Sequence, residues 1–396
     1  MSYQLENNRL SHMLAIVLLL IAGAASGKVM ALQLGQPVNI IPNPELPDQA
    51  QVDTSNNNLD VVMHNGELYF AWRTSTSHFA SANTLLQVMR QTQSGEWVYE
   101  HSIFTGRDLR EPRFLSLNGE LFLYFAELGI NPIAFQPGKT LFTRMDSQGQ
   151  WQDTQVLFDD GFIPWRINFV DDQPIMIGYK GGETIYETDQ SELSLMLLTT
   201  ADGIQWQPAF NEDGVVLRSG LSETDFVITD QYLVAVGRNE AGDADGWGSK
   251  VCRAPLDNLS QWHCMPDRRK YDSPLVLEQN GEVYLVARRQ LMYGGNYDLR
   301  WRNLSFQFQN ILYQAFYWLS PKRCSVWRVD VNELAVDWLE DLPSAGDTCF
   351  PSAIRQSDGS FDIYNYSSDY NSGSRWSWLK GQVSPTHIYK INLKLN

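Results

Sequence analysis

Charged and phenolic side chains cluster at equivalent points along the 396-residue chain, at the two ends of short alternating apolar segments. They are Arg73 and His78; Arg110, Glu111, Arg113 and Glu127; Arg166 and Tyr179; Glu223, Asp225, Arg238 and Glu240; Asp272, Arg288 and Arg289; and Tyr364 and Tyr366. Arginine forks suit carboxylate, sulfate or phosphate oxygens because the planar guanidinium bonds two of them at once. Carboxylates in the same place suit sugar hydroxyls, and one with a raised pKa can protonate a glycosidic oxygen. On this chemistry Glu223, Asp272, His78, Tyr179 and Tyr366 are the catalytic candidates. Arg73, Arg110, Glu111, Arg113, Arg166, Arg238 and Arg288 are the substrate-binding candidates. For Arg110, Glu111 and Arg113 the bland alternative is a clamp between neighbouring structural modules. No Cys-x-x-Cys or His-x-x-x-His spacing occurs, so neither a metal nor another cofactor is expected.

Such scattered residues meet only if the elements carrying them converge. Six segments share one pattern, an apolar strand, a tight turn with Gly, Asp or Asn, and a second strand rich in Tyr, Phe, Leu and Val. They are LDVVMHNGELYFAWR, PRFLSLNGELFLYFA, RINFVDDQPIMIGYK, TDFVITDQYLVAVGR, SPLVLEQNGEVYLVARR and PSAIRQSDGSFDIYNY. Each reads as a β-hairpin. Their starts at 59, 112, 166, 224, 273 and 351 lie 53, 54, 58, 49 and 78 residues apart, a period that signals an array of like modules with one insertion. The insertion, Leu291 to Trp318, is read as an elaborated loop or an extra hairpin. Between the hairpins, polar turns end at Trp97, Trp151, Trp206, Trp262 and, less clearly, Trp338, the first four at intervals of 54, 55 and 56 residues. An in-phase tryptophan suits a plug between sheets packed face to face.

These units predict an all-β, six-bladed β-propeller, with a five-bladed wheel as the alternative. No 3.6-period amphipathic segment stands out after residue 32, which excludes an α/β rhythm. The strand around Leu32 to Ile41 is expected to complete the last blade and close the ring.

The Trp turns resemble degenerate Asp boxes, the S-x-D-x-G-x-x-W turn of sialidases and other BNR-repeat propellers, Thr200-Ala201-Asp202-Gly203 to Trp206 being the nearest match. In SETDFVITDQYLVAVGR, Glu223 and Arg238 occupy places where sialidases carry a Glu before an inner strand and an Arg after its partner. The resemblance implies that Glu223 polarises a tyrosine nucleophile and that Arg238 holds a substrate carboxylate. Two departures accompany it: Asn58-Leu59-Asp60 replaces the family's Arg-Ile-Pro, and Ser75-Thr76-Ser77-His78-Phe79 replaces its acid/base Asp loop. Separately, Arg110-Glu111-Pro112 resembles the Arg-Asp-Pro strand head of the five-bladed family 43 and 32 glycosidases, which implies a carboxylate set of Glu111, Glu223 and Asp272.

Residues 1–31 read as an export signal, with Arg9 before an apolar run from Met13 to Ala25 and small residues near 27 and 31 suited to cleavage. That run is short for a membrane span, so residues 32–396 form one propeller domain in an exported protein. A formal charge of −16 argues against nucleic acid and anionic membrane as partners. The four cysteines, Cys252, Cys264, Cys324 and Cys349, suit disulfides in an exported chain. Three pairings are open, Cys252 with Cys264 being the one a hairpin would favour. The function expected is that of a monomeric glycoside hydrolase for an acidic or heavily hydroxylated glycan, the alternative a propeller that binds glycan without cleaving it.

Overall fold

The computed structural model describes residues 32–395 apart from 133, 186–191 and 372; the expected export signal lies outside them. Six sheets of four or five antiparallel strands follow one another along the chain, so the wheel has six blades and the five-bladed alternative falls. Their inner strands are Ser55–His64, Asp108–Leu117, Ile163–Val170, Leu221–Ile228, Asp272–Gln279 and Ser352–Arg355. Each pairs with the second strand of the hairpin read from the sequence. The turns have the chemistry expected of tight hairpins: Asn65-Gly66, Asn118-Gly119 and Asn280-Gly281 all sit at positive φ, where Asn and Gly are the least strained residues. The ring closes as expected, because Gln33–Leu34 and Val38–Ile41 both pair with His387–Lys394 in blade six.

The core lies between blades. Apolar residues of each blade interdigitate with those of the next, as where Trp72 and Trp97 of blade one meet Tyr364 and Ile388 of blade six. Trp97 is buried in this seam, while Trp151, Trp206 and Trp262 are half-buried against the seams beside them. Trp338 departs from the plug reading: it is 47% exposed and lies against the Arg289 guanidinium on the rim. In the nearest Asp-box match, Asp202 accepts hydrogen bonds from the backbone N–H of Ile204 and Gln205, both at 2.8 Å.

The insertion opens as a loop with one 3-10 turn (Tyr293–Gly295) and ends in a helix, α1 (Phe306–Leu319), that was not expected. Asn310, Tyr313 and Tyr317 face inward, but Phe308, Ile311 and Leu319 are exposed on the other side. With Asn310 turned inward and large apolar side chains turned outward, the helix departs from the apolar-in, polar-out pattern by which a surface helix is recognised. A short helix, α2 (Trp378–Gln382), stands beside it, and the Tyr317 and Trp318 rings pack edge-on to Trp378. Both pairs of cysteines are bridged, Cys252 to Cys264 across two strands of blade four and Cys324 to Cys349. The second bridge ties blade five to the chain entering blade six.

Candidate functional site

The inner strands do not enter the central channel smoothly. Bulges interrupt five of them near their starts, and Asn58 (φ 38°), Glu111 (φ 55°) and Ser273 (φ 49°) occupy three of the kinks. Left-handed backbone at Glu and Ser stores strain, and a bulge re-aims the side chain it carries. All three kinked residues line a cavity of about 350 Å³ at this mouth, the size class of small-ligand pockets. A loop of blade one supplies His78 and Phe79, the helices α1 and α2 supply Trp318 and Trp378, and the second strands supply Tyr179, Arg238, Arg288 and Tyr366.

Arg238 is held by three carboxylates, with Nη1 2.5 Å from Glu223, Nη2 2.6 Å from Glu240 and Nε 2.8 Å from Asp272. Arg288 donates to the carbonyls of Thr348 (2.5 Å) and Cys349 (3.1 Å) and to the Tyr317 hydroxyl (2.7 Å). Tyr317 in turn donates to Asp272 Oδ2 at 2.7 Å. Arg110 is paired with Asp108 at 2.5 Å and donates to the His78 carbonyl at 2.6 Å. Across the cavity, the Tyr366 hydroxyl donates to Asp347 Oδ1 at 2.8 Å, while His78 Nδ1 meets the other oxygen of the same carboxylate.

These partners separate the carboxyl groups electrostatically. Burial pushes Asp272 upward, but Arg238, Lys270 and Arg288 more than offset it and hold the group below the usual carboxylate range. Asp347 is likewise held low, its burial outweighed by His78 and Arg288. Burial pushes the Tyr366 phenol well up, with Asp347 adding to the effect, so Tyr366 rests protonated beside an ionised carboxylate. Glu111 moves the other way: burial, aided by the negative charge of Glu223, pushes it up to about 7 against the pull of Arg113 and Arg110. Its Oε1 accepts from Asn58 Nδ2 at 3.1 Å, and its buried Oε2 has no hydrogen-bond partner among the described residues. Glu223 is also raised by burial, although Arg238 opposes the shift.

Not every candidate reaches the cavity. His78, Arg110, Glu111, Tyr179, Glu223, Arg238, Arg288 and Tyr366 line it. Asp272 stands one layer back, between Arg238 and Tyr317. Arg73 is fully buried against Asp108 at 2.7 Å and the carbonyls of Ser77 and Phe79, which leaves it no surface for a ligand. Arg113 lies under the floor, its guanidinium 5.0 Å from the Trp165 ring and 4.7 Å from that of Phe350. Arg166 is deeper in the channel, donating to the carbonyls of Pro274 and Pro351. Glu223, expected beside a tyrosine nucleophile, is instead engaged by Arg238 and by Ser273 N–H at 2.6 Å.

The carboxylate that meets the cavity-lining candidate Tyr366, Asp347, was missed, as was its counterpart Asp108. A signal existed: Asp108 precedes Pro112, and Asp347 precedes Pro351, by the same four residues. Tyr317 and Trp318 were hidden by the misread insertion.

No protein-family model and no curated protein matches the sequence. Solved structures do match in fold. The chain is similar to a protein of unknown function from Dyadobacter fermentans, with TM-score 0.59 and 12% identity over 92% of this chain and 99% of that one. It is similar also to the endosialidase of phage phi92, with TM-score 0.58 and 10% identity over 93% of this chain and 70% of the other. A Trypanosoma rangeli sialidase in complex with sialic acid matches at TM-score 0.53 and 11% identity, over 93% of this chain and 59% of its own length. At these identities the likeness is one of fold: a sialidase-like six-bladed propeller.

Proposed function

We propose that the protein is an exported glycoside hydrolase working at this mouth of the propeller, with Glu111 as proton donor and Tyr366, assisted by Asp347, as nucleophile. The observation that carries the reading is Glu111: a carboxyl group protonated up to about neutral pH, on strained backbone, at the floor of a cavity large enough for a sugar. A general acid works best when its pKa lies near the operating pH. In this reading Tyr366 Oη attacks the anomeric carbon while its proton passes to Asp347. Glu111 gives its proton to the glycosidic oxygen as the bond to the leaving group breaks. Water then cleaves the glycosyl–tyrosine bond and yields its proton to the Glu111 carboxylate, and Asp347 returns the phenolic proton.

The two disulfides suit export, since such bridges persist in oxidising compartments, and among the described residues no helix is long and apolar enough to cross a membrane. The sialidase-like fold supports a carbohydrate as ligand. Release of nitrophenol from a panel of aryl glycosides, sialosides included, tests the reading: turnover by the wild type that vanishes in Glu111→Gln supports it, and no turnover across the panel removes it. The engagement of Glu223 by Arg238 and Ser273 favours a second reading, a propeller that holds glycan without cleaving it. Product-free binding would select that reading.

A further inference from the structure

The mouth differs from an anion site in one respect that bears on its ligand: nearly all of its guanidinium nitrogens are already engaged by protein groups. Arg238 has a carboxylate on each of its three nitrogens. Arg288 is occupied at Nε, Nη1 and Nη2 by two carbonyls and a phenol. Of the arginines lining the cavity, Arg110 alone keeps a nitrogen, Nη1, that neither a hydrogen bond nor an ion pair to the described residues occupies; Arg238 Nε makes no hydrogen bond but lies against Asp272. With Nη2 already bonded to the His78 carbonyl, the Nη1 amino group by itself does not offer the two-nitrogen fork that holds a carboxylate in register. An acidic sugar would have to displace Glu223 or Glu240 from Arg238, leaving a buried carboxylate without its counter-ion, a change that is strongly destabilising. Asp108, Glu223 and Glu240 also line the cavity and repel an incoming anion, as does the formal charge of −16 on the whole chain.

What remains suits an uncharged sugar. Carboxylate oxygens accept from hydroxyl groups, and aromatic rings offer a flat apolar face. Three blades contribute such rings to the mouth: Phe79 from the loop within blade one, Trp318 from the end of α1, and Trp378 from α2. The Trp318 ring centroid lies 6.1 Å from that of Phe79 and 5.8 Å from that of Trp378. From this arrangement we infer that the cavity selects an uncharged pyranose, stacked on Trp318, and discriminates against sialic and uronic acids. The inference rests on reading this mouth as the carbohydrate site, and it does not require that the sugar be cleaved.

Calorimetric titration separates the two claims. The probes are the methyl glycosides of glucose, galactose, mannose and N-acetylglucosamine, set against those of N-acetylneuraminic acid and glucuronic acid. Each is titrated into the wild-type protein and into Trp318→Ala. The expected result is that at least one neutral glycoside binds ten times or more tighter than either acidic one, and that Trp318→Ala weakens it about tenfold, the scale of one lost aromatic contact. Since Trp318 is only partly buried, its replacement is checked by melting temperature, and Phe79→Ala serves as a second variant. Tighter binding of an acidic glycoside overturns the inference, as does binding of none of the six, or neutral binding that both aromatic variants leave intact. Neutral binding without aryl-glycoside turnover removes the hydrolase reading and leaves this inference standing. Hydrolysis confined to sialosides does the reverse.

Discussion

The two mouths of the central channel both bury charge, and they do so differently. At the far mouth, around a second cavity of about 430 Å³, the charged groups are bonded chiefly to the backbone and hydroxyls of neighbouring blades. Asp60 accepts from Phe114 N–H at 2.8 Å and from Ser352 Oγ at 2.7 Å, joining blade one to blades two and six. Asp225 accepts from Val276 N–H at 2.7 Å, and Arg166 donates from blade three to the carbonyls entering blades five and six. At the near mouth, charged side chains pair mostly with one another over an open cavity, on backbone that is strained in three places. Charge bonded to a neighbour's backbone fastens the wheel together. Charge paired with charge, with an oxygen left over as on Glu111, is poised to meet a ligand.

The sharpest way to break this contrast is Glu111→Gln. If the near mouth is built for chemistry, the variant loses about 10²- to 10⁴-fold in turnover, the usual worth of a general acid, while its melting temperature stays close to that of the wild type. Unchanged rates would place Glu111 with the fastening groups. The same residue predicts a pH response. Its pKa rises from an ordinary 4.5 to about 7 on folding, so the folded state binds the extra proton between those values. Stability therefore declines as pH climbs through that window, and turnover falls as pH passes about 7. In Glu111→Gln both slopes flatten, which urea unfolding and initial rates at several pH values can read.

At the far mouth, Asp225→Ala leaves Arg166 with one partner fewer and strips the Val276 amide of its acceptor. Chemical denaturation should show a loss of about 3–5 kcal/mol, the cost of breaking a buried pair, with the specific activity of the folded fraction preserved. A fall in activity at full stability would make the two mouths alike.

The disulfides repeat the contrast on a smaller scale. Opening either by paired Cys→Ser substitution is expected to cost about 2–4 kcal/mol. Only Cys324–Cys349 adjoins Asp347 and the carbonyls that hold Arg288, so only its loss should also slow turnover. Equal rates after opening Cys324–Cys349 and after opening Cys252–Cys264 would count against that link. Smallest of all, Trp338→Ala should change stability by less than about 0.5 kcal/mol, as an exposed position allows. A larger loss in thermal unfolding would restore Trp338 to the role of a plug.

Much of this architecture was legible because hairpins are local. Turn residues such as Asn65-Gly66 and Asn118-Gly119 report backbone handedness directly, and the period of the hairpins reports the wheel. The α1 helix escaped because it turns Asn310 inward and Phe308, Ile311 and Leu319 outward, against the apolar-in pattern that marks a surface helix. Reading the strand ends as one ring worked in part, since eight of the twelve residues it singled out line the cavity. It failed for Arg73 and Arg113, because a strand end does not fix which layer a side chain enters, and for Arg166, whose side chain lines the cavity at the far mouth instead. The kinks at Asn58, Glu111 and Ser273, which set those layers, leave no mark in composition.

By itself, then, the sequence determined the repeating hairpins, their number and the mouth at which the near-site residues gather, since each follows from interactions within a few residues along the chain. Only the tertiary structure decided which carboxylate meets which arginine or tyrosine: Asp347 rather than Glu223 at Tyr366, and three acids on Arg238. Those pairings depend on distances between blades, and such distances are set by bulges, an inserted helix and a disulfide acting together across the axis of the wheel.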